Sequence, residues 1–362
     1  MLYKRMMQKD IRTNVRKYMR CGKILCGFML CAFMLGGCGA EATEEEKTGE
    51  AYQKEDSRES PTEQVMEEAP GDTAVPSDTE ESPKNTALFS DAEEMKQDTE
   101  AAPELIETDW SEYFDGLQGA AVVYDASASR YVIYNPELAD TRKSPCSTFK
   151  IVSSAIALEN GILEPEESTR SWSGEIFWNE NWNKDSAFEE AFRVSCIWYF
   201  REMTDEMGPE MVQEGLDRLE YGNCDISDWE GRLNTNNNNR ALTGFWIESS
   251  LMISPKEQAE VMERIFGDDS DYSEETQNEL KQVMLVPEQG QTDISIYGKT
   301  GMGKADGIVI DAWFTGFAEN ADGKLYFCVH LGRTDGMDVS SSRAKEIAIQ
   351  IVSDYHKQRT GQ

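Results

Sequence analysis

Apolar positions along this chain fall into blocks of different period. Residues 24–35, ILCGFMLCAFML, are an almost unbroken apolar run. The run is too short for a standard spanning helix, which needs about 20 residues, and has the length of a signal-peptide core. From Gly39 to about Ala102 no apolar period is visible. Beyond that point, Ala121–Tyr124 and Arg130–Tyr134 read as two strand cores around a polar turn. Ile151, Val152, Ala155, Ile156, Ala157 and Leu158 recur near helical spacing, with Pro145 suited to the helix entrance and Gly161 to its exit. Residues 185–204 and 208–219 read as helices, as does 253–267, capped by Ser254, opened by Pro255 and closed by Gly267. A strand lies around Asp293–Gly301. Two more, 311–320 and 324–332, are joined by a turn at Asn320–Gly323, and an amphipathic helix follows over 341–357. Strands, a block of helices, strands and a last helix imply an α+β fold: an antiparallel β-sheet flanked by helices, with a helical lobe inserted in sequence.

Charge and composition divide the chain the same way. The 362 residues carry a net charge of −33, which excludes a general attraction to nucleic acid or to anionic membrane surfaces. Residues 1–23 are nevertheless basic, and with the apolar run and Leu35-Gly36-Gly37-Cys38 they resemble a bacterial lipoprotein signal. That resemblance implies a signal peptide over 1–37, lipidation of Cys38 and a membrane anchor on the extracytoplasmic face; the competing reading is an ordinary signal peptide or short anchor. Residues 38–104 are rich in Glu, Asp, Thr, Ser and Pro and cannot bury enough apolar surface to offset ordering entropy, so they read as a disordered acidic tether. Residues 105–362 are dense in Trp, Tyr, Phe and Ile and can build a full core. Of eight cysteines, only Cys146, Cys196, Cys224 and Cys328 fall in that part, and none is spaced as C-x-x-C, so they read as small buried hydrophobes rather than zinc ligands. Oligomeric state leaves no mark on the sequence.

Ser147-Thr148-Phe149-Lys150 opens the apolar helix with a polar pair three residues apart, one turn along the same face. Alone, Ser-x-x-Lys is common by chance. Of the two histidines, His356 lies near the C-terminus and His330 sits in an apolar strand, which leaves a serine–histidine triad open but unsupported. If Ser147 is a nucleophile, Lys150 is the better base, provided burial frees its amine.

Further short motifs follow in order: Ser195-Cys196-Ile197, Tyr221-Gly222-Asn223, Phe245-Trp246-Ile247-Glu248, Lys299-Thr300-Gly301 and Trp313-Phe314-Thr315-Gly316-Phe317. As a set with Ser147-x-x-Lys150 they resemble the penicillin-recognising serine enzymes, and in detail the class D β-lactamases, over essentially all of 105–358. Ile197 stands where that family has valine. The resemblance implies that Ser147 forms an acyl-enzyme with a β-lactam. It implies that Lys150 is carboxylated by CO2, with no other cofactor and no metal, and serves as general base. Trp246 would donate its indole N–H to the carbamate, and Ser195 would relay a proton to the lactam nitrogen. Ile197, Phe149, Phe200 and Ile247 would wall the pocket. Lys299, Thr300 and Gly301, with Arg343, would hold the substrate carboxylate, and the main-chain N–H groups of Ser147 and Met302 would form the oxyanion hole. Tyr221-Gly222-Asn223 would shape the site floor. The rival expectation is a β-lactam sensor acylated without turnover: Trp198-Tyr199-Phe200 and Ser249–Pro255 resemble penicillin-sensing receptors as much as enzymes, although no His-Glu-x-x-His protease motif is present. A cell-wall transpeptidase is a weaker rival, and an inert binding lipoprotein would leave the motifs unexplained.

Overall fold

The computed structural model describes residues 102–233, 238–287 and 293–361. The signal segment, Cys38 and nearly all of the expected tether lie outside the described residues. Six strands form one sheet: β1 (Glu104–Glu107), β2 (Gly119–Asp125), β3 (Arg130–Tyr134), β4 (Ser295–Ala305), β5 (Ile308–Asn320) and β6 (Gly323–Gly332), in the order β1-β3-β2-β6-β5-β4. All pairs are antiparallel except β1, which runs parallel to β3 with Ile106 opposite Val132. The expected start of the folded part, residue 105, thus falls inside a strand.

The sheet is covered on both sides. Ala120, Val122, Ile133, Phe317 and Tyr326 pack into one core cluster, and Ala121, Val123, Phe314, Phe327 and Val329 into another. Strands buried on both faces read as continuous apolar runs, which is why residues 120–123 do not alternate. Over the first face lie α1 (Phe149–Glu159), α2 (Phe188–Arg193), α3 (Ile197–Leu219), α4 (Pro255–Phe266) and α5 (Glu274–Met284); over the second lies α6 (Ser341–Thr360), through Ala344, Ile347, Ala348, Ile351 and Val352. Helix α1 is buried all round from Phe149 to Ala157 and forms the centre of the helical lobe.

The helices over 185–219 divide at an unexpected place as well as near residue 208, where a separation was expected. The stretch 185–204 is not one helix: α2 ends at Arg193, Ser195 adopts a left-handed backbone (φ 53°), and α3 begins at Ile197. Helix α3 is itself broken at Gly208, whose φ of 73° and ψ of 165° are non-helical, just before Pro209. The 253–267 helix is as expected, with Ser254 and Glu257 forming a reciprocal capping box and Pro255 in the first turn.

Candidate active site

Ser147 does not lie in α1 but in the tight 3-10 turn Cys146–Thr148 that leads into it. Cys146 has a left-handed backbone (φ 49°), uncommon for a residue with a side chain. The turn is pinned from several directions. Cys146 N–H donates to the Trp246 carbonyl at 2.9 Å. Thr148 Oγ1 donates to the Pro145 carbonyl at 2.7 Å and accepts from Gln258 Nε2 at 2.8 Å. Ser147 is left half-buried, and Lys150, one turn on, places Nζ 3.0 Å from Ser147 Oγ.

Lys150 is fully buried, and among the described residues no carboxylate forms an ion pair with it. Its Nζ lies 5.1 Å from the centre of the Phe200 ring. Desolvation of the ammonium pushes its pKa down to about 8. A second buried lysine faces it from β4. Lys299 is lowered to about 7, first by burial and then by the nearby charge of Lys150. Lys299 Nζ donates to Ser195 Oγ and, at 3.2 Å, to the Thr300 carbonyl. The break between α2 and α3 therefore delivers the Ser195 hydroxyl to the strand lysine.

Strand β4 can come this close because of its glycine. A side chain at Gly301 would put a Cβ 2.9 Å from the Pro145 carbonyl and 3.0 Å from the Thr148 methyl. Trp246 is buried, with its ring 5.6 Å from that of Phe149, and among the described residues its indole nitrogen has no hydrogen-bond partner. A buried donor left unpaired is unusual and calls for an acceptor. Ile197 is half-buried at the start of α3, and Ile247 is buried next to Trp246. Asn223 donates to the Ser250 carbonyl at 2.8 Å and accepts from Met252 N–H at 2.9 Å. Gly222 (φ 55°) would drive a Cβ to 2.0 Å from the Met252 carbonyl. These two residues brace the loop that carries Trp246.

Ser147, Lys150, Ser195 and Lys299 are thus joined in two hydrogen-bonded pairs, with Thr300, Gly301 and Met302 following along β4. Arg343 is not brought to them. It starts α6, which packs on the opposite face of the sheet from α1. There it lines a cleft with Asp115, Leu117, Met337 and Asp338 and pairs with Glu346 at 3.2 Å. His330 is also elsewhere engaged: its Nε2 lies 2.9 Å from Asp311 Oδ1, and it shares no hydrogen bond with Ser147. Sequence reasoning missed Ser144, whose hydroxyl donates to the Trp246 carbonyl at 3.0 Å and accepts from Glu248 N–H at 2.9 Å. Nothing in its type or spacing signals that role.

A hydroxyl hydrogen-bonded to a buried amine that has no carboxylate partner among the described residues, with a second amine–hydroxyl pair nearby, has the parts of a serine acyl-transfer site. Comparison with known proteins gives the same class: residues 119–353 match the family model of the penicillin-binding protein transpeptidase domain. The chain belongs to that family, with class D serine β-lactamases among its relatives. The "Probable beta-lactamase YbxI" of Bacillus subtilis is 30% identical over 243 residues, 67% of this chain and 82% of its own. "Regulatory protein BlaR1" of Bacillus licheniformis is 29% identical over 246 residues, 67% of this chain but only 38% of that protein's length. Among solved structures, the C-terminal domain of the Bacillus licheniformis BlaR penicillin-receptor superposes with a TM-score of 0.61 at 28% identity, covering 70% of this chain and 98% of that domain.

Proposed function

We propose that this protein hydrolyses β-lactam antibiotics through an acyl-enzyme on Ser147. The observation that carries the reading is the Ser147 hydroxyl lying 3.0 Å from a fully buried lysine amine that burial makes readier to lose its proton. An ammonium cannot accept a proton; a free amine can. Carbon dioxide added to that amine gives a carbamate, which supplies a carboxylate-like base. The indole N–H of Trp246, which has no partner among the described residues, is a fitting donor to such a group.

Ser147 Oγ, giving up its proton toward position 150, bonds to the lactam carbonyl carbon. The ring C–N bond then breaks, and a proton reaches the nitrogen by way of Ser195. The main-chain N–H groups of Ser147 and Met302 hold the carbonyl oxygen as charge builds on it. Lys299 and Thr300 form the wall that takes the substrate carboxylate. Ile197, Phe200 and Ile247 exclude bulk water. A single water then cleaves the ester and restores Ser147. Lipidation of Cys38 would hold this activity on the outer face of the cytoplasmic membrane.

The likeness to BlaR1 and to the BlaR penicillin-receptor favours a second reading, a sensor whose ester persists. Both readings require acylation of Ser147, so an adduct alone does not separate them. Loss of general-base assistance costs a factor of about 100 to 10,000 in rate, so the fates of the ester differ widely. Time-resolved mass spectrometry after mixing with one equivalent of penicillin, with and without bicarbonate, distinguishes them. The expected result is an adduct that forms and disappears within minutes when bicarbonate is present. An adduct still stoichiometric after hours under that condition rules out the hydrolase and leaves the sensor.

A further inference from the structure

Strand β4 is the edge of the sheet, and its outer main-chain groups face the nucleophile turn. Which groups these are follows from two contacts. The Ile296 carbonyl accepts from Val286 N–H at 2.9 Å, and the Thr300 carbonyl accepts from Lys299 Nζ at 3.2 Å; neither bond is to β5. The N–H and C=O of one strand residue point to the same side, and the side alternates with each residue. The even-numbered residues of β4 therefore turn their N–H groups outward, Met302 and Lys304 among them.

The Lys304 N–H is held. It donates to Glu248 Oε1 at 2.6 Å. The ladder to β5 shifts register between Gly303 and Lys304, so pairing with β5 is irregular where the clamp acts. Glu248 also reaches the other way, since its own N–H donates to Ser144 Oγ at 2.9 Å, and that hydroxyl donates to the Trp246 carbonyl at 3.0 Å. The same carbonyl accepts the N–H of Cys146, the neighbour of Ser147, at 2.9 Å. Glu248 makes these contacts from a left-handed backbone (φ 51°), a conformation that persists where surrounding contacts over-determine it. The two walls are close: a Cβ at Gly303 would stand 3.1 Å from Cys146 Sγ.

We infer that Glu248 is a positioning residue for acylation: with its carboxylate on β4 and its N–H on Ser144, it sets the separation of the Ser147 and Met302 N–H groups that receive the carbonyl oxygen. The inference rests on the acyl-enzyme reading above. It requires an acceptor oxygen at this position, not a negative charge.

Stopped-flow acylation of the full chain by a fluorescent penicillin tests it, with rates normalised to active-site content. Glu248→Ala is expected to slow acylation at saturating penicillin by about 10- to 100-fold, below the loss typical of deleting an oxyanion donor outright, with apparent affinity changed by less than about threefold. Glu248→Gln keeps an acceptor oxygen and is expected to recover to within about fivefold of the wild type. Ser144→Ala cuts the link on the other side and is expected to slow acylation without abolishing it. The idea is overturned if Glu248→Gln is as slow as Glu248→Ala, or if Glu248→Ala acylates at the wild-type rate. Should Glu248→Ala not fold, Ser144→Ala at the wild-type rate overturns it equally. A wild-type chain that takes no label defeats the acyl-enzyme reading itself, whereas a labelling wild type with an indifferent Glu248 defeats this inference alone.

Discussion

Two buried lysines set the behaviour of single residues in this protein. Below about pH 7, Lys150 and Lys299 are charged in both the folded and the unfolded chain, and the folded state bears the full burial cost. Above that, the folded chain releases protons that the unfolded chain keeps until near pH 10.4, so stability rises with pH. The buried thiols act in the opposite sense from about pH 9, because Cys146 is pushed up to about 12 and Cys196 to about 11 while their unfolded counterparts ionise near 8.5. Lys150→Met removes a charge and keeps much of the volume. In CO2-depleted buffer its melting temperature at pH 6.5 is expected to exceed the wild type's, by an amount equivalent to about 1–4 kcal/mol, with a shallower rise between pH 6.5 and 8.5. Its hydrolysis of penicillin is expected to fall at least about 100-fold. A melting temperature at or below the wild type's across that range would show that burial of this amine is not what costs stability. Ser147 and Lys150 could be read from the sequence because their chemistry is in their side chains. Ser144 and Glu248 act on or through main-chain groups of distant residues, which no local spacing encodes.

At the level of elements, the site depends on β4 meeting the turn that precedes α1 with main chain against main chain. Gly301→Ala adds a Cβ where the Pro145 carbonyl is 2.9 Å away, so strand and turn must separate by a few tenths of an ångström or more. The expected outcome is a penicillin acylation rate lowered by about 10-fold or more, since small misplacements at a reacting centre are costly, with a modest loss of thermal stability. Acylation kinetics and a melting curve on the same preparation check both parts. Most strands and helices were legible because their apolar runs are long. The break at Ser195 was not, since apolar and helix-forming residues continue on both sides of it, and the left-handed turn there accompanies a contact with Lys299 from a distant strand. Helix α5 was missed because its buried residues, Thr276, Leu280 and Met284, are few in a polar stretch. Arg343 lies in the first turn of a helix, as its sequence position implies, but periodicity does not say which face of a sheet a helix will cover.

For the whole molecule, the sequence divides the chain more clearly than it locates the first strand. Strand β1 reads Glu-Leu-Ile-Glu, with its residues exposed apart from a half-buried Ile106, and so blends into the acidic composition before it. Its partner β3 is what makes it a strand. The anchor expected at Cys38 is checked by intact-mass analysis of protein extracted from membranes: the expected mass is that of a chain beginning at Cys38 and carrying acyl chains. An unlipidated or differently cleaved N-terminus contradicts it.

Where β1 lies has a mechanical consequence. It forms one margin of the sheet and β4, with Lys299, forms the other, so five interstrand gaps of about 4.8 Å put the two margins about 24 Å apart. Tension arriving along the chain from residues before Glu104 falls first on a four-residue parallel pairing, which can peel while the ladders between it and the catalytic margin stay closed. The domain thus has a sacrificial edge at β1. In a single-molecule pull applied through the N-terminal segment, a short first extension of a few residues should come loose at low force, with Ser147 still able to take penicillin.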